Sequence, residues 1–560
     1  METFAEISYQ GIDMEMARKE MELYIGQLKL AKSYEEMKQL FLEQRKKSNR
    51  QNTIETIAHI RNTIDTNDEF YQKEMAYFNQ EDPKMGLLYQ EEEKVILESP
   101  FHDKWEEEFG AFYLKKMEVN QKLSNPSVVP ELVEQANLEQ AYSKVSAGAV
   151  TNFREKTCNF SELQKFMQST DRQERKEAMT AWADLYEKIA PELDKIYDKM
   201  VKVRVNIAKK LGFDSYIDYI YLSRGRYDYQ AEDVKQFRRQ VRDVIVPVCQ
   251  RLREQQAKRL GVEKLYYYDE AIMFSEGNAV PIGKREELVK KAQKMYQELS
   301  PETGEFFDFM VEREMFDLDT KYGKRGGGYC TFLPEYMSPF IFANFNGTDA
   351  DVDVLTHEAG HAFEAYTASR NLKLIDMVFS SYEVAEIHSM SMEFFTYPWM
   401  ELFFGDKADR YRYSHIAENL MSVPYMVCVD EFQHKVFENP TMTDLQRRKV
   451  WKDLEKIYLP WRDYGDNKFL EEGGFWMQKQ HIFLFPFYYI DYALAQMGAF
   501  EFYGHMKKNR EQAWSDYCRL CRAGGSRGYF ELLELAGLSN PFKEGTVQKV
   551  VDSLNEDLKV

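Results

Sequence analysis

The amino-acid sequence predicts a mainly α-helical protein with one small β-sheet. The chain has 560 residues and is 44% apolar, which is enough for a large buried core and for more than one domain. It contains only 16 proline and 28 glycine residues, and few helix breakers favour long helices. Strand signals concentrate in one stretch, residues 322–345.

The composition argues against several classes of function. A net charge of −19 makes nucleic acids and anionic membrane surfaces poor partners. Six cysteines are too few for a disulfide scaffold and suit a reducing compartment. The start of the chain lacks the basic segment and apolar run of a signal peptide. The most apolar window, residues 482–500, contains Pro486 and Asp491, so we expect no membrane helix and a cytoplasmic protein.

Helical patterns fill the first half of the chain. Residues 13–78 show heptad-like apolar spacing, with charges of both signs on the outward face. A break with two prolines follows at residues 125–130. The next helical stretch is predicted to begin at Ser161, with Gln164 in the capping-box position, and to end at Gly212.

The predicted sheet lies directly before the most informative motif. Three glycines, Gly326 to Gly328, lead into an aromatic and β-branched run that continues as PFIFANF. The glycines suit either a flexible loop that closes over a bound peptide or a plain hairpin turn. As an exposed edge strand, residues 340–345 could pair with the backbone of a peptide.

The motif H-E-A-G-H occupies residues 357–361, where the chain returns to helix. Positions i and i+4 of a helix share a face, so His357 and His361 can bind one metal ion. Glu358 can then stand beside the ion and act as a general base. An ion held by neutral imidazoles lowers the pKa of bound water from about 15.7 toward about 7. The pattern indicates a zinc-dependent hydrolase, and its alternative is two structural histidines on a helix face.

Spacing alone leaves the third metal ligand open. Glu364 and Thr367 occupy the positions at which the extended H-x-x-G-x-x-H pattern needs Gly and His, which excludes a third histidine there. The next helix offers Glu383, Glu386 and Glu393, which share a face. One of them can bind the ion while another orients a histidine, and Glu383 is expected to face water.

Together these segments resemble the thimet oligopeptidase and oligoendopeptidase F family of zinc peptidases, most closely the oligoendopeptidase F branch. The glutamate 25 residues after His361 matches the family, as do GKRGGGY with PFIFANFNGT, AEIHSMSME, HIFLFPFYYIDYALAQMG and CRAGGSRGYFELLELAG. The resemblance covers roughly residues 200–540 and, more loosely, the helical N-terminal part. It implies two helical lobes around a deep substrate channel. We expect a helical N-terminal lobe at residues 1–200 and a catalytic zinc-peptidase lobe at residues 201–560.

The resemblance also implies a role for each candidate residue. One zinc ion per chain is expected on His357, His361 and Glu386, with Glu358 as the general base. Glu393 is expected to orient a ligating histidine. The expected catalytic hydrogen-bond donors are His481, Tyr489 and Tyr492. The expected substrate contacts are Gly326, Gly327, Gly328, Tyr329, Phe342, Ala343 and Tyr488.

Without the family, the His/Tyr segment has two interpretations. One imidazole and three phenols within residues 481–492 can donate hydrogen bonds to a developing oxyanion, but the same residues suit an aromatic core helix. The Cys518 and Cys521 pair, with no second pair, is expected to be two neighbouring helix residues.

We therefore expect a zinc-dependent endopeptidase that hydrolyses short oligopeptides. A helical zinc carboxypeptidase is the alternative, but it needs groups that bind a free terminus, and no arginine cluster for a carboxylate stands out. A non-catalytic peptide-binding protein is a further alternative, and it would usually have lost the general base, whereas Glu358 is present. The expected partners are short peptides, with no nucleic acid and no membrane.

Overall fold

The structure is a computed structural model that describes residues 2–123 and 125–559. The described chain is mainly helical with two small sheets, so the predicted fold class is confirmed. In chain order the helices are α1 (Met14–Leu30), α2 (Tyr34–Ile64), α3 (Glu69–Leu97), α4 (His102–Phe109), α5 (Ala111–Leu123), α6 (Val129–Gly148), α7 (Phe160–Phe166), α8 (Arg172–Lys210), α9 (Tyr216–Ser223), α10 (Ala231–Gln240), α11 (Val246–Leu260), α12 (Arg285–Leu299), α13 (Pro301–Glu312), α14 (Ala350–Asn371), α15 (Tyr382–Phe395), α16 (Met400–Phe404), α17 (Ala408–Glu438), α18 (Asp444–Tyr458), α19 (Lys468–Glu471), α20 (Gln480–Leu484), α21 (Tyr489–Lys508), α22 (Arg510–Ala523), α23 (Tyr529–Leu535), α24 (Thr546–Asp552) and α25 (Asn555–Leu558).

The sheets are small, and one of them was not predicted. Strands β1 (Thr151–Phe153) and β2 (Lys156–Cys158) form an antiparallel hairpin. Its turn residues, Arg154 and Glu155, have positive φ angles of 47° and 64°. Neither is a glycine or an asparagine, so the usual hairpin signal is missing from the sequence and the expectation of a single sheet was wrong.

The predicted sheet before α14 is present and has three strands. These are β3 (Phe316–Asp319), β4 (Tyr329–Leu333) and β5 (Ser338–Phe345), in the order β3-β5-β4. Strand β5 pairs with β3 in parallel and with β4 antiparallel, as in the pairing of Cys330 with Ile341. The expectation that residues 340–345 form an edge strand is therefore wrong, because partners occupy both sides of β5.

Helix boundaries follow local capping chemistry. The side chain of Asn159 caps α7 and Glu162 completes the capping box, so the predicted cap at Ser161 was two residues too late. Helix α8 ends where Gly212 adopts a φ of +83°, as its sequence signal predicted.

Two compact units divide the chain, and each is built from separate stretches. Unit 1 comprises residues 1–122, 280–408 and 505–538, and unit 2 comprises residues 123–279, 409–504 and 539–560. The expected domain boundary at residue 200 falls inside α8, and it stays a prediction, as does the substrate channel. Within residues 2–123 and 125–559, no helix has both the length and the apolar character needed to cross a bilayer.

In unit 1, α14 is the helix that carries the H-E-A-G-H motif, and it packs on the three-stranded sheet. Phe332 of β4, Ala365 and Ala368 of α14, and Val378 form one buried cluster. Asp349 caps the start of α14, and the carboxylate of Asp351 accepts hydrogen bonds from two backbone N–H groups in the loop before it. The sheet and the capped loop together hold the first turns of α14.

Candidate metal centre

The two motif histidines lie on one face of α14, as their spacing requires. The ring centroids of His357 and His361 are 5.0 Å apart, and the ring planes are nearly perpendicular. The side chains of His357 and His361 are 24% and 22% exposed, whereas most of the surrounding helix is buried. Both rings are therefore held by the fold and remain reachable from outside it.

Helix α15 brings Glu386 to these rings. Its Oε2 atom lies 3.3 Å from Nε2 of His357 and 3.6 Å from Nε2 of His361. One ligand atom from each of the three side chains lies within 4.8 Å of the others, and no other such group of His, Cys, Asp or Glu occurs among the described residues. The hydroxyl of Ser389 donates to Oε2 of Glu386 at 3.0 Å and steadies the carboxylate.

Gly360 allows α14 and α15 to cross this closely. A Cβ atom added to Gly360 would lie 2.6 Å from Cα of Ser389 and 2.7 Å from the carbonyl oxygen of His388. Such distances are clashes with backbone that cannot rotate away. The glycine inside the motif thus has a packing reason that the sequence does not reveal, and it lets Glu386 reach the imidazoles.

Glu393, two turns after Glu386, holds His357 from the opposite side. Its Oε1 atom accepts a hydrogen bond from Nδ1 of His357 at 2.6 Å. A carboxylate on Nδ1 fixes the tautomer and leaves Nε2 as the ligand atom, which is the nitrogen that faces Glu386. Glu383, in contrast, is fully buried, so the expectation that it faces water was wrong.

Glu358 lies beside this group and is only 7% exposed. Burial raises the pKa of Glu358 to about 7; the charges of Glu386 and Glu393 act in the same direction, and that of His357 opposes them. A carboxylate with a pKa near neutrality can both accept and release a proton under ordinary conditions. Gly328 stands next to it, since a Cβ atom there would lie 3.6 Å from Oε1 of Glu358.

The two histidines differ in their affinity for protons. Burial opposes the charged form of His357, but its hydrogen bonds to Glu386 and Glu393 outweigh burial and hold its pKa well above the ordinary value. Burial lowers the pKa of His361 to about 4. The carboxylates of Glu386 and Glu393 therefore place negative charge around His357, and burial keeps His361 neutral, so the surroundings of the two rings favour a bound cation.

The donor set fits zinc better than it fits magnesium or calcium. Two imidazole nitrogens and one carboxylate oxygen, with space for a further ligand, are the usual protein ligands of a catalytic zinc site. Magnesium and calcium prefer sites built from oxygen atoms alone.

The glycine loop before β4 is tied down at several points. Its three glycines are exposed, and Gly327 has a φ of +93°. The amide of Asn344 donates to the carbonyl oxygens of Arg325 and Gly327, and the ammonium of Lys324 donates to the carbonyl of Ala343. The loop connects β3 to β4 across the central strand, so it is not a hairpin turn.

Strand β4, not β5, is the edge of the sheet next to Glu358. Phe342 and Ala343 lie on the central strand and are fully buried, so their expected contact with a substrate has lost its structural reason. Tyr329 stacks on Phe342 at 4.7 Å, and its hydroxyl is 2.6 Å from that of Thr63. The side chain of Tyr329 is therefore engaged within the fold.

The four predicted donors of the His/Tyr segment cluster in unit 2. His481 lies on α20, and its ring is 4.8 Å from that of Tyr489 and 6.3 Å from that of Tyr492. Tyr488 lies parallel to His481 at 6.1 Å. Burial lowers the pKa of His481 to about 4, helped by the charges of Lys479 and Arg224. The imidazole is therefore neutral and keeps one N–H to donate.

Sequence reasoning missed the basic residues that hold this segment. Lys479 donates to the hydroxyl of Tyr489 at 2.8 Å. Arg224 donates to the carbonyl of Pro486, and the fully buried Arg226 donates to the carbonyl of Phe487 and to Asp491. Lys479 is two positions from His481 and could have been noticed, whereas the arginines precede the segment by more than 250 residues and carry no sequence signal.

Two family models of M3 peptidases match most of this chain. The model of the peptidase M3 N-terminal domain matches residues 4–124, and that of peptidase family M3 matches residues 165–551. The oligoendopeptidase F homolog of Borreliella burgdorferi is 23% identical over 320 residues, which are 55% of this chain and 52% of that protein. The alignment thus spans about half the length of the curated relative.

Solved structures are similar over the whole chain. One described as an oligoendopeptidase F is 44% identical with a TM-score of 0.94, and the match covers 100% of this chain and 99% of that one. PZ peptidase A, solved with an inhibitor, is 42% identical with a TM-score of 0.94 and the same coverage.

Proposed function

The chain belongs to peptidase family M3, and from that premise we propose that it is a zinc-dependent endopeptidase acting on short peptides. The observation that supports the proposal most directly is the approach of Glu386 to His357 and His361, with ligand atoms within 4.8 Å of one another. The short peptides follow from the names of relatives, among them an oligoendopeptidase F homolog. A cytoplasmic location is part of the proposal.

His357, His361 and Glu386 would hold one zinc ion through two nitrogens and one oxygen. When bound there, zinc would lower the pKa of a coordinated water from about 15.7 toward about 7 and polarise the peptide carbonyl. Glu393 keeps His357 in the tautomer that presents Nε2 to the site.

Glu358 serves as the general base of the proposed reaction. With a pKa of about 7, its carboxylate takes a proton from the attacking water and then passes it to the amine that leaves. Its buried position favours this role. Burial disfavours the charged carboxylate, so the neutral carboxyl that forms when Glu358 takes up the proton is not costly. Glu358 contributes no ligand, so its role can be separated from metal binding.

The edge strand β4 is the proposed seat of the peptide. An extended peptide that adds to the sheet edge is held by backbone hydrogen bonds, which tolerate many side chains. Gly328 leaves room for that backbone beside Glu358, since it has no side chain in the space between them. Gly326 and Gly327 remain proposed contacts as neighbours of this position.

His481, Tyr489 and Tyr492 are proposed hydrogen-bond donors to the oxygen that gains charge during the reaction, on the strength of the family resemblance. Their own arrangement supports a shared role, because the three rings lie within 6.3 Å of one another. Tyr488 is a proposed substrate contact, and Arg224 stacks over its ring at 5.0 Å.

The test combines a peptide blocked at both ends with metal analysis. We expect the purified protein to contain one zinc ion per chain and to cleave an internal bond of an acetylated, amidated peptide that carries a fluorophore and a quencher. Cleavage only of peptides with a free terminus would replace the endopeptidase with an exopeptidase. Absence of cleavage by the zinc-loaded protein would leave a binding protein.

Glu358→Gln is the matched variant for this assay. It removes the base but no ligand, so we expect unchanged zinc content and a loss of roughly 10²–10⁴-fold in turnover. Zinc per chain is measured by mass spectrometry and kcat/KM by fluorescence. Equal activity of the variant and the wild type would refute the role of Glu358.

A further inference from the structure

Two aromatic side chains next to the metal centre are exposed where their surroundings are buried. Phe379 is 54% exposed and Tyr382 is 50% exposed, whereas α15 is almost entirely buried from Glu383 onward. Tyr382 precedes Glu386 by four positions, so the two side chains lie one turn apart on the same face of α15. Phe379 and Tyr382, together called the aromatic surface, thus belong to the segment that leads to a proposed zinc ligand.

The segment that carries Phe379 is held rigidly by two glycines of the loop after α22. The N–H of Gly525 donates to the carbonyl of Met377 at 2.8 Å. A Cβ atom on Gly525 would lie 1.9 Å from the carbonyl oxygen of Phe379, and one on Gly524 would lie 2.5 Å from that of Val378. Backbone packs against backbone with no side chain between them, so the exposed ring is presented by a fixed main chain.

The edge strand β4 connects this aromatic surface to the proposed peptide. The rings of Phe332 and Phe379 are 6.1 Å apart in an edge-to-face arrangement. Phe332 follows Gly328 by four residues, which is about 13 Å of extended strand at about 3.3 Å per residue. Gly328 lies next to Glu358, and the bond to be cleaved would lie beside this proposed base. A peptide paired with β4 would therefore reach the aromatic surface about four residues from that bond.

We propose that Phe379 and Tyr382 form a specificity subsite for an apolar side chain of the peptide, about four residues from the cleaved bond. The subsite rests on the proposed function, because its occupant is the peptide held by β4. Covering an exposed aromatic ring with an apolar side chain removes apolar surface from water and is favourable. Exposed apolar surface beside a peptide-binding strand is therefore suited to recognising an apolar side chain. Backbone pairing then supplies affinity, and the aromatic pair adds a preference for side-chain type.

The test is a position scan with blocked peptides that share one cleavage site. One series carries a single Leu at each position in turn, and a matched series carries Asn, which has nearly the same shape and is polar. Zinc per chain is measured for every protein, and cleavage positions are mapped by mass spectrometry. For the wild type we expect Leu to exceed Asn about tenfold in kcat/KM at the position about four residues from the cut.

The variants isolate the aromatic pair. In Phe379→Ala/Tyr382→Ala we expect the Leu/Asn ratio at that position to fall to about one, with ratios elsewhere and zinc content unchanged. Phe70→Ala removes an aromatic residue of α3 that is 53% exposed, and it should keep the wild-type ratio. A ratio that survives in the double variant, or a preference for Arg over Leu there, would overturn the subsite.

Failure of the two ideas can be told apart. A zinc-loaded wild type that cleaves no blocked peptide would refute the proposed endopeptidase and, with it, the subsite. A wild type that cleaves all peptides without preference at that position would refute the subsite alone. A double variant that loses rate equally on Leu and Asn peptides would show a merely structural role for the pair.

Discussion

His357 is the residue on which most charges of the site converge. Its Nδ1 is 2.6 Å from Glu393 and its Nε2 is 3.3 Å from Glu386, so a carboxylate faces each nitrogen. The shorter of the two contacts belongs to the carboxylate that is not a proposed ligand. The orientation of the ring therefore depends on Glu393 at least as much as on Glu386.

At this scale we predict that Glu393→Gln weakens zinc affinity by about 10–100-fold. The amide keeps the size of the side chain but loses the charge that makes Nε2 a better ligand. Competition with a chromogenic chelator measures the affinity. Glu383→Gln, on the same helix, is the matched control and should bind zinc as the wild type does; a larger loss in this control would make Glu383 the ligand.

Helices α14 and α15 pack backbone against backbone, because Gly360 has no side chain to separate them. We predict that Gly360→Ala lowers zinc affinity and destabilises the protein by about 1–3 kcal/mol, because the new methyl group forces the helices apart. Chelator competition and thermal unfolding measure the two effects.

Gly26→Ala is the matched control for this prediction. Gly26 lies inside α1, and a Cβ atom there would meet no other atom within 4 Å. Alanine should stabilise that helix by about 0.5–1 kcal/mol and leave zinc binding unchanged. If Gly360→Ala behaved in the same way, the close helix crossing would not control the site.

The His/Tyr segment is an element held by distant charges. Arg226 is fully buried, and it joins the carbonyl of Phe487, whose φ is +61°, to Asp491 at the start of α21. We predict that Arg226→Met destabilises the protein by about 3–5 kcal/mol, because Asp491 is left buried without its partner.

Arg226→Met/Asp491→Leu should recover part of that stability, since it removes the uncompensated charge as well. Thermal unfolding of the full-length protein compares the two variants. Zinc content should stay at the wild-type level in both, because no proposed ligand belongs to unit 2. A double variant less stable than the single one would show that the ion pair is not the reason for the loss.

At the scale of the whole molecule, several buried histidines link stability to pH. Burial lowers the pKa of His434 to about 4, and its ring is 3.1 Å from the hydroxyl of Tyr221. The unfolded chain takes up a proton on this residue near its ordinary pKa of about 6.5, but the folded chain does not until about pH 4. His434 therefore contributes stability above pH 6.5 that is lost as the pH falls.

We predict that the free energy of unfolding decreases between pH 6.5 and 4, with His434 contributing about 1.4 kcal/mol per pH unit. His434→Gln should show a shallower decrease over the same range, because glutamine does not titrate. Urea unfolding at a series of pH values measures both slopes. Equal slopes would mean that His434 is not the titrating group. His388 and His361 would then be the candidates, because burial lowers their pKa values in the same direction.

Much of the fold and of the proposed zinc site is readable in the sequence because its signals are local. Helix periodicity, the i and i+4 spacing of His357 and His361, and the stop at Gly212 depend on neighbours within a turn or two. The hairpin β1–β2 escaped prediction because Arg154 and Glu155 take positive φ angles without a glycine signal.

The place of a strand within its sheet was equally hidden. Residues 338–345 look like a strand in sequence, but whether that strand is central or an edge depends on β3, which lies about twenty residues earlier. The same is true of Arg226 and of the crossing at Gly360, whose partners are distant in sequence.

The sequence by itself determined the helical class, the paired imidazoles, and a set of three acidic candidates on the following helix, since each follows from the period of one helix. Only the tertiary structure decided that Glu386 faces both imidazoles while Glu393 faces the far side of His357, and that β5 is the central strand of its sheet. The physical reason is that contacts between elements depend on how closely backbones approach, and that approach is set by packing across the whole unit.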